Sequence, residues 1–87
     1  SIAYGVYAAT RELSLDVPGD VAVCGYDNHP MSALLTPPLT TVDWDIDGIV
    51  HSAVRLVVDV IDGKPRRRRV VREPSLRVRA STAGPDA

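Results

Sequence analysis

Apolar residues recur along this chain with two different periods, and the change from one to the other sketches the architecture. From Ile2 to about Leu13, the positions Ile2, Val6, Ala9 and Leu13 return every three or four residues, which places them on one face of an amphipathic helix. Asp16-Val17-Pro18-Gly19-Asp20 ends that helix, because proline cannot continue it and glycine relieves the turn. Val21-Ala22-Val23-Cys24-Gly25-Tyr26 then runs apolar without alternation, the pattern of a strand buried on both faces of a parallel sheet. Met31 to Leu35 reads as a short helix stopped by Thr36-Pro37-Pro38, whose prolines force an extended path into Leu39-Thr40-Thr41-Val42.

The acid-rich stretch from Asp43 to Asp47 suits the start of a second helix, where backbone amides present partial positive charge. Ile46, Val50, Ala53, Val54, Val57 and Ile61 form its apolar stripe, Gly63 ends it, and Pro65 stands just beyond. A basic turn from Lys64 to Arg69 leads to Val70-Val71, and Leu76-Arg77-Val78-Arg79 alternates as a half-exposed strand does. The chain from Ser81 onward is expected to fray. This order of helices and strands predicts the α/β class.

Length and composition set limits on that scheme. The 87 residues allow one small domain with a thin core, since a chain this short buries only somewhat over 60% of its unfolded surface. With 45% hydrophobic and 24% charged residues the chain belongs among folded globular sequences and not among disordered tails. No run approaches the roughly 18 apolar residues of a membrane helix, and the start lacks the basic then apolar pattern of a secretory signal. A cytoplasmic setting without membrane contact is expected. The lone Cys24 has no internal disulfide partner and is expected to be a small buried residue.

Charge is unevenly spread. Residues 1 to 63 carry nine carboxylates against Arg11 and Arg55, whereas residues 64 to 87 carry eight basic residues against Glu73 and Asp86. Such asymmetry fits a nucleic-acid tail, two segments lying against each other, or a solvated turn. For Arg66-Arg67-Arg68-Arg69 the place between a helix end and a strand favours the solvated turn over DNA contact.

Three stretches, taken together, resemble the end of LacI/GalR-type transcription regulators: Asp16-Val17-Pro18-Gly19-Asp20 continuing through Gly25-Tyr26-Asp27-Asn28, then Thr36-Pro37-Pro38-Leu39-Thr40-Thr41-Val42, then Leu76-Arg77-Val78-Arg79-Ala80-Ser81-Thr82. Their order and spacing match as well, with a helix ending in Asp62-Gly63-Lys64 between them. The resemblance implies a periplasmic-binding-protein-like (type I) fold, two-lobed and doubly wound around parallel sheets. Residues 1–82 would be the C-terminal part of its effector-binding and dimerisation domain, with pieces of both lobes, and residues 83–87 a flexible tail. It further implies that Pro37 to Val42 crosses from the second lobe to the first, that the second helix packs on the first lobe, and that the last strand returns. The helix-turn-helix of the family is not among these residues, so DNA is expected to be met only through an amino-terminal domain.

Candidate chemistry gathers after the apolar strand. Ligands of open α/β sheets collect beyond the carboxyl ends of the strands, and Asp27 and Asn28 stand there. Spacing alone leaves open whether Asp27 binds a ligand or caps the next short helix. The resemblance favours the ligand: an ionised carboxylate accepts hydrogen bonds from two adjacent sugar hydroxyls. Trp44 stands where relatives often carry a glutamine facing the ligand, and its indole would either stack on a sugar ring or pack at a hinge. Asn28 and Asp43 are weaker candidates for the ligand, and each reads more readily as structural. Met31, Leu34 and Leu35 match a region beside the subunit interface of relatives, and core packing is the alternative.

An incomplete lobe leaves apolar edges uncovered, so a homodimer or another partner is expected. No catalytic set emerges. His29 and His51 lack cysteine ligands at metal spacing, Ser52 beside His51 is a helix-surface coincidence, Asp43, Asp45 and Asp47 read as a helix start, and no glycine-rich phosphate loop precedes a helix. Neither cofactor nor metal is expected. The expected function is the sensing of a small carbohydrate-like effector by a regulator and not an enzyme, with a periplasmic-type solute-binding protein as the alternative.

Overall fold

The computed structural model describes residues 2–64 and 72–83. In chain order these form α1 (Ile2–Glu12), β1 (Cys24–Tyr26), a 3-10 helix (Pro30–Leu34), β2 (Thr40–Asp43), α2 (Ile46–Ile61) and β3 (Ser75–Arg77). One three-stranded sheet has the order β1-β2-β3. β1 pairs parallel to β2 with Cys24 opposite Thr40 and Tyr26 opposite Val42, and β3 adds an antiparallel edge with Arg77 opposite Thr41 and Ser75 opposite Asp43. Among the described residues no helix is long and apolar enough to cross a membrane.

The face that α1 buries is not the one its apolar spacing marks. Ala3, Tyr7 and Thr10 are buried, whereas Ile2 and Leu13 are 90% and 69% exposed and Val6 also faces outward. The reason is close approach. Ala3 rests over Gly25 of β1, where an added Cβ would lie 3.4 Å from the Ala3 Cβ and 2.9 Å from a Leu39 methyl. The Tyr7 hydroxyl donates to the Pro37 carbonyl at 2.8 Å, and the Thr10 hydroxyl returns to the Tyr7 carbonyl at 2.8 Å. Burial pushes the Tyr7 phenol up from its ordinary value of 10.0. Ala3, Tyr7, Val23 and Leu39 make the core, with Tyr4, Val17 and Leu35 packed against it.

The strand expected over Val21 to Tyr26 is shorter and barer than its composition suggests. Regular pairing covers Cys24–Tyr26 only, and Cys24 and Tyr26 are exposed. Cys24 is therefore not a buried residue here, because among the described residues nothing covers its face of the short sheet. Val23 is buried but pairs with the end of the chain, its amide donating to the Ser81 carbonyl at 3.1 Å.

Ser81 is the second departure, since a frayed segment was expected and a fully buried residue is found. Its hydroxyl donates to the Val23 carbonyl at 2.6 Å and accepts from the Thr40 amide at 2.8 Å, while its own amide donates to the Pro38 carbonyl at 3.0 Å. Thr82 is drawn in beside it by a 2.6 Å contact between its hydroxyl and that of Thr40. Backbone polar groups at the entrances of β1 and β2 need partners once buried, and this one side chain supplies them. Residues 84–87 lie outside the described residues, as do Arg66 to Arg69 and Val70-Val71.

α2 follows its sequence cues at both ends. Asp45 is the N-cap and accepts from the Gly48 amide at 3.3 Å; Gly63, at φ 67°, turns the chain out after Asp62. None of its residues is buried, however, and Ile46, Val50, Val54, Val57 and Ile61 all stand exposed. The stripe exists, but the expected packing surface is not among the described residues. The Cα radius of gyration of 18.1 Å reflects this, since a compact chain of 87 residues would have about 12 Å.

Candidate functional site

The chain leaves β1 through two consecutive left-handed residues, Asp27 at φ 91° and Asn28 at φ 47°. Asparagine tolerates this region, but aspartate at such a φ is held there by its surroundings at some cost. The Asn28 amide donates to the Thr41 hydroxyl of β2 at 3.1 Å, and its side chain is engaged at both ends. Its Nδ2 donates to Asp43 at 3.4 Å, and its Oδ1 accepts from the Arg79 guanidinium at 2.9 Å.

Asp27 does not cap the helix that follows. His29 does, its Nδ1 accepting from the Met31 amide at 3.1 Å, while its ring meets Tyr4 edge-on with centroids 6.1 Å apart. Asp27 is thereby left exposed at the rim of an open concavity of about 370 Å³. Asn28 and Pro30 continue one wall, and Asp43, Asp45, Ile46, Asp47 and Arg77 form the other. A smaller hollow of about 220 Å³ lies elsewhere, between the end of α1 and Thr36-Pro37.

The second wall is organised by β3. Arg77 Nε and Nη2 both reach Asp43 Oδ2 at 3.1 Å, and the other carboxylate oxygen accepts from the Asp45 amide at 2.8 Å. That amide bond first, and Arg77 beside it, hold the Asp43 carboxyl below its ordinary value of 3.8. The structural reading of Asp43 agrees with this arrangement. Arg72 bonds the N-cap Asp45 at 3.1 Å and the Ser52 hydroxyl at 3.0 Å, tying the first turns of α2 to the segment before β3. Among the described residues no group of three His, Cys, Asp or Glu could hold a metal ion.

Asp27 and Asn28 thus share the concavity. Trp44 is half-buried at the turn between Asp43 and Asp45 and is not among the residues lining it. Met31 and Leu34 lie exposed on the 3-10 helix, at 45% and 72%, whereas Leu35 turns inward against the core. Sequence reasoning overlooked Arg77 and Arg79 as part of this region. Their alternation was visible, and residues two apart on a strand share a face, but their partners on β2 and after β1 were not.

A short parallel pair with polar residues beyond its carboxyl end is the general site position of open α/β sheets, and the description of the periplasmic binding protein-like domain matches residues 1–82. The HTH-type transcriptional regulator MalR of Streptomyces coelicolor is 43% identical over 94% of this chain, and the chain spans 24% of that protein's length. The lactose operon repressor of Rhizobium radiobacter is 34% identical over the whole chain and 77% of its own recorded sequence. A LacI family transcriptional regulator from Arthrobacter sp. FB24, solved in complex with lactose, superimposes with a TM-score of 0.82 at 34% identity, covering 93% of this chain and 31% of that one. The chain belongs to the LacI family of transcriptional regulators.

Proposed function

We propose that this chain forms one wall of the effector cleft and part of the subunit interface of a LacI-type regulator. A small neutral carbohydrate occupies the cleft and shifts the balance between lobe arrangements, and so the DNA binding of a helix-turn-helix elsewhere in the protein. The observation that carries this reading is the exposed Asp27 carboxylate, placed after a parallel strand at the mouth of a concavity and released from any capping duty. It accepts hydrogen bonds from adjacent sugar hydroxyls, Trp44 offers an aromatic face nearby once the second lobe closes, and Asn28 belongs to the same turn. Met31 and Leu34 supply the apolar contact to a second subunit, with Leu35 fixing their helix to the core. The regulators among the relatives favour this over a transport protein, and the solved complex with lactose supports a carbohydrate as ligand.

The test is calorimetry on the intact protein with lactose and with cellobiose, which differs from it at one hydroxyl. Asp27→Ala is expected to weaken binding about 10- to 100-fold with the melting temperature retained, from the loss of one charge-assisted hydrogen bond at about 1.5–3 kcal/mol. Affinity unchanged by the substitution removes Asp27 from the site.

A further inference from the structure

We propose that Arg79 is a positioning residue for the effector cleft: through Asn28 it holds the left-handed turn that presents Asp27. The inference rests on the reading of Asp27 given above, and adds to it the means by which the carboxylate is kept in place.

Two consecutive non-glycine residues with positive φ do not persist without external restraint, and Asp27 at φ 91° contributes most of the strain. The restraint is visible in Asn28. Its backbone amide is tied to Thr41, and its side chain bridges Asp43 of β2 and Arg79 beyond β3. Arg79 is itself fixed by a second bond, Nη1 to the Leu39 carbonyl at 2.8 Å, and its backbone amide donates to the Thr40 hydroxyl at 2.7 Å. Leu39 and Thr40 are buried, at 1% and 2% exposure, so the guanidinium is anchored to a buried part of the chain. A planar fork with one prong on that anchor and the other on Asn28 Oδ1 transmits the position of the core to the turn. Asn28 lies 51 residues from Arg79, so the contact is purely tertiary.

The guanidinium geometry matters, because an ammonium presents no two parallel donors in a fixed plane. Arg79→Lys is therefore expected to restore the turn only in part, and Arg79→Met not at all. Asn28→Gly removes the clamped side chain while leaving a residue that accepts the left-handed conformation.

The measurement is amide hydrogen exchange of residues 25–30 in the intact protein, read against α1 as an internal reference. Arg79→Met and Asn28→Gly are each expected to speed exchange at the turn at least tenfold with α1 unchanged, and the double variant to be no faster than the faster single one. Additive effects would show that Arg79 acts through Leu39 alone and overturn the proposal, as would exchange unchanged by Arg79→Met. Calorimetry with lactose and cellobiose is run alongside, where Arg79→Met is expected to weaken the sugar that the parent binds by tenfold or more. Should neither sugar bind the parent, the effector reading fails for these two ligands, while the exchange cycle still decides whether Arg79 holds the turn.

Discussion

Replacing Ser81 by alanine removes one oxygen from a fully buried position, and the structure specifies what that oxygen leaves behind. The Thr40 amide loses its acceptor at 2.8 Å and the Val23 carbonyl loses its donor at 2.6 Å. Thr40 and Val23 are 2% and 6% exposed, so water does not take over either bond without opening the core. A buried polar group left without a partner costs about 1–3 kcal/mol, which puts Ser81→Ala at roughly 2–6 kcal/mol for the pair. In a domain of about 150–250 residues each kcal/mol lowers the melting temperature by about 2–4 °C, so a fall of roughly 4–24 °C is expected in the intact protein. Thr82→Ala is the matched control, because Thr82 is exposed and its hydroxyl meets only that of Thr40; its effect should stay near or below about 1 kcal/mol. Differential scanning calorimetry of the three proteins decides the matter. A Ser81→Ala melting temperature within 1 °C or so of the parent would mean that the end of the chain frays after all, and that the buried bonds of Ser81 carry no weight.

Other expectations follow from the same geometry. Gly25→Ala should destabilise the intact protein by about 1–3 kcal/mol, since the new methyl meets Leu39 at 2.9 Å and Ala3 at 3.4 Å; Leu39→Val in the same protein should recover part of the loss, and strictly additive melting shifts would contradict the clash. Asp43 has its carboxyl held below 3.8 by the Asp45 amide and by Arg77, so its stabilisation is complete above that value and is lost as pH falls through the lower folded value. Asp43→Asn should therefore flatten the acid limb of the stability curve below pH 3.8, and parallel acid limbs for parent and variant would refute the assignment. The 87-residue chain on its own should sediment as a dimer or larger, and a sharp monomer with cooperative unfolding at micromolar concentration would contradict that.

What could be read from the sequence divides along the range of the interactions involved. α2 was legible at both ends because its caps are local: Asp45 lies three residues before the Gly48 amide it accepts from, and Gly63 needs only its own freedom at positive φ. The position of Asp27 was legible for a similar reason, as the first polar residue after an apolar strand. The buried face of α1 was not, because Ala3 is placed by its approach to Gly25 and Tyr7 by a carbonyl 30 residues away, and neither appears in apolar spacing. Ser81 and Arg79 escaped for the most general reason. A small polar residue near a chain end looks dispensable until the backbone groups it satisfies, 41 and 58 residues earlier, are brought to it.

The apolar stripe of α2 shows where local reasoning is right about an element and silent about its partner. Ile46, Val50, Val54, Val57 and Ile61 are 49% to 77% exposed, so covering them would remove from water more than half of what they can bury. At about 1.5–3 kcal/mol for a fully buried side chain, that comes to roughly 4–8 kcal/mol for the five together. A total of this size is comparable with the whole net stability of a small domain, about 5–15 kcal/mol. A stripe of this size calls for a covering surface, and the chain spans 24% of the length of MalR. Polar replacement of Val54 and Val57 together should accordingly destabilise the intact protein by several kcal/mol, although both are exposed here. A melting temperature unmoved by Val54→Ser with Val57→Ser would show that this face of α2 stays in water.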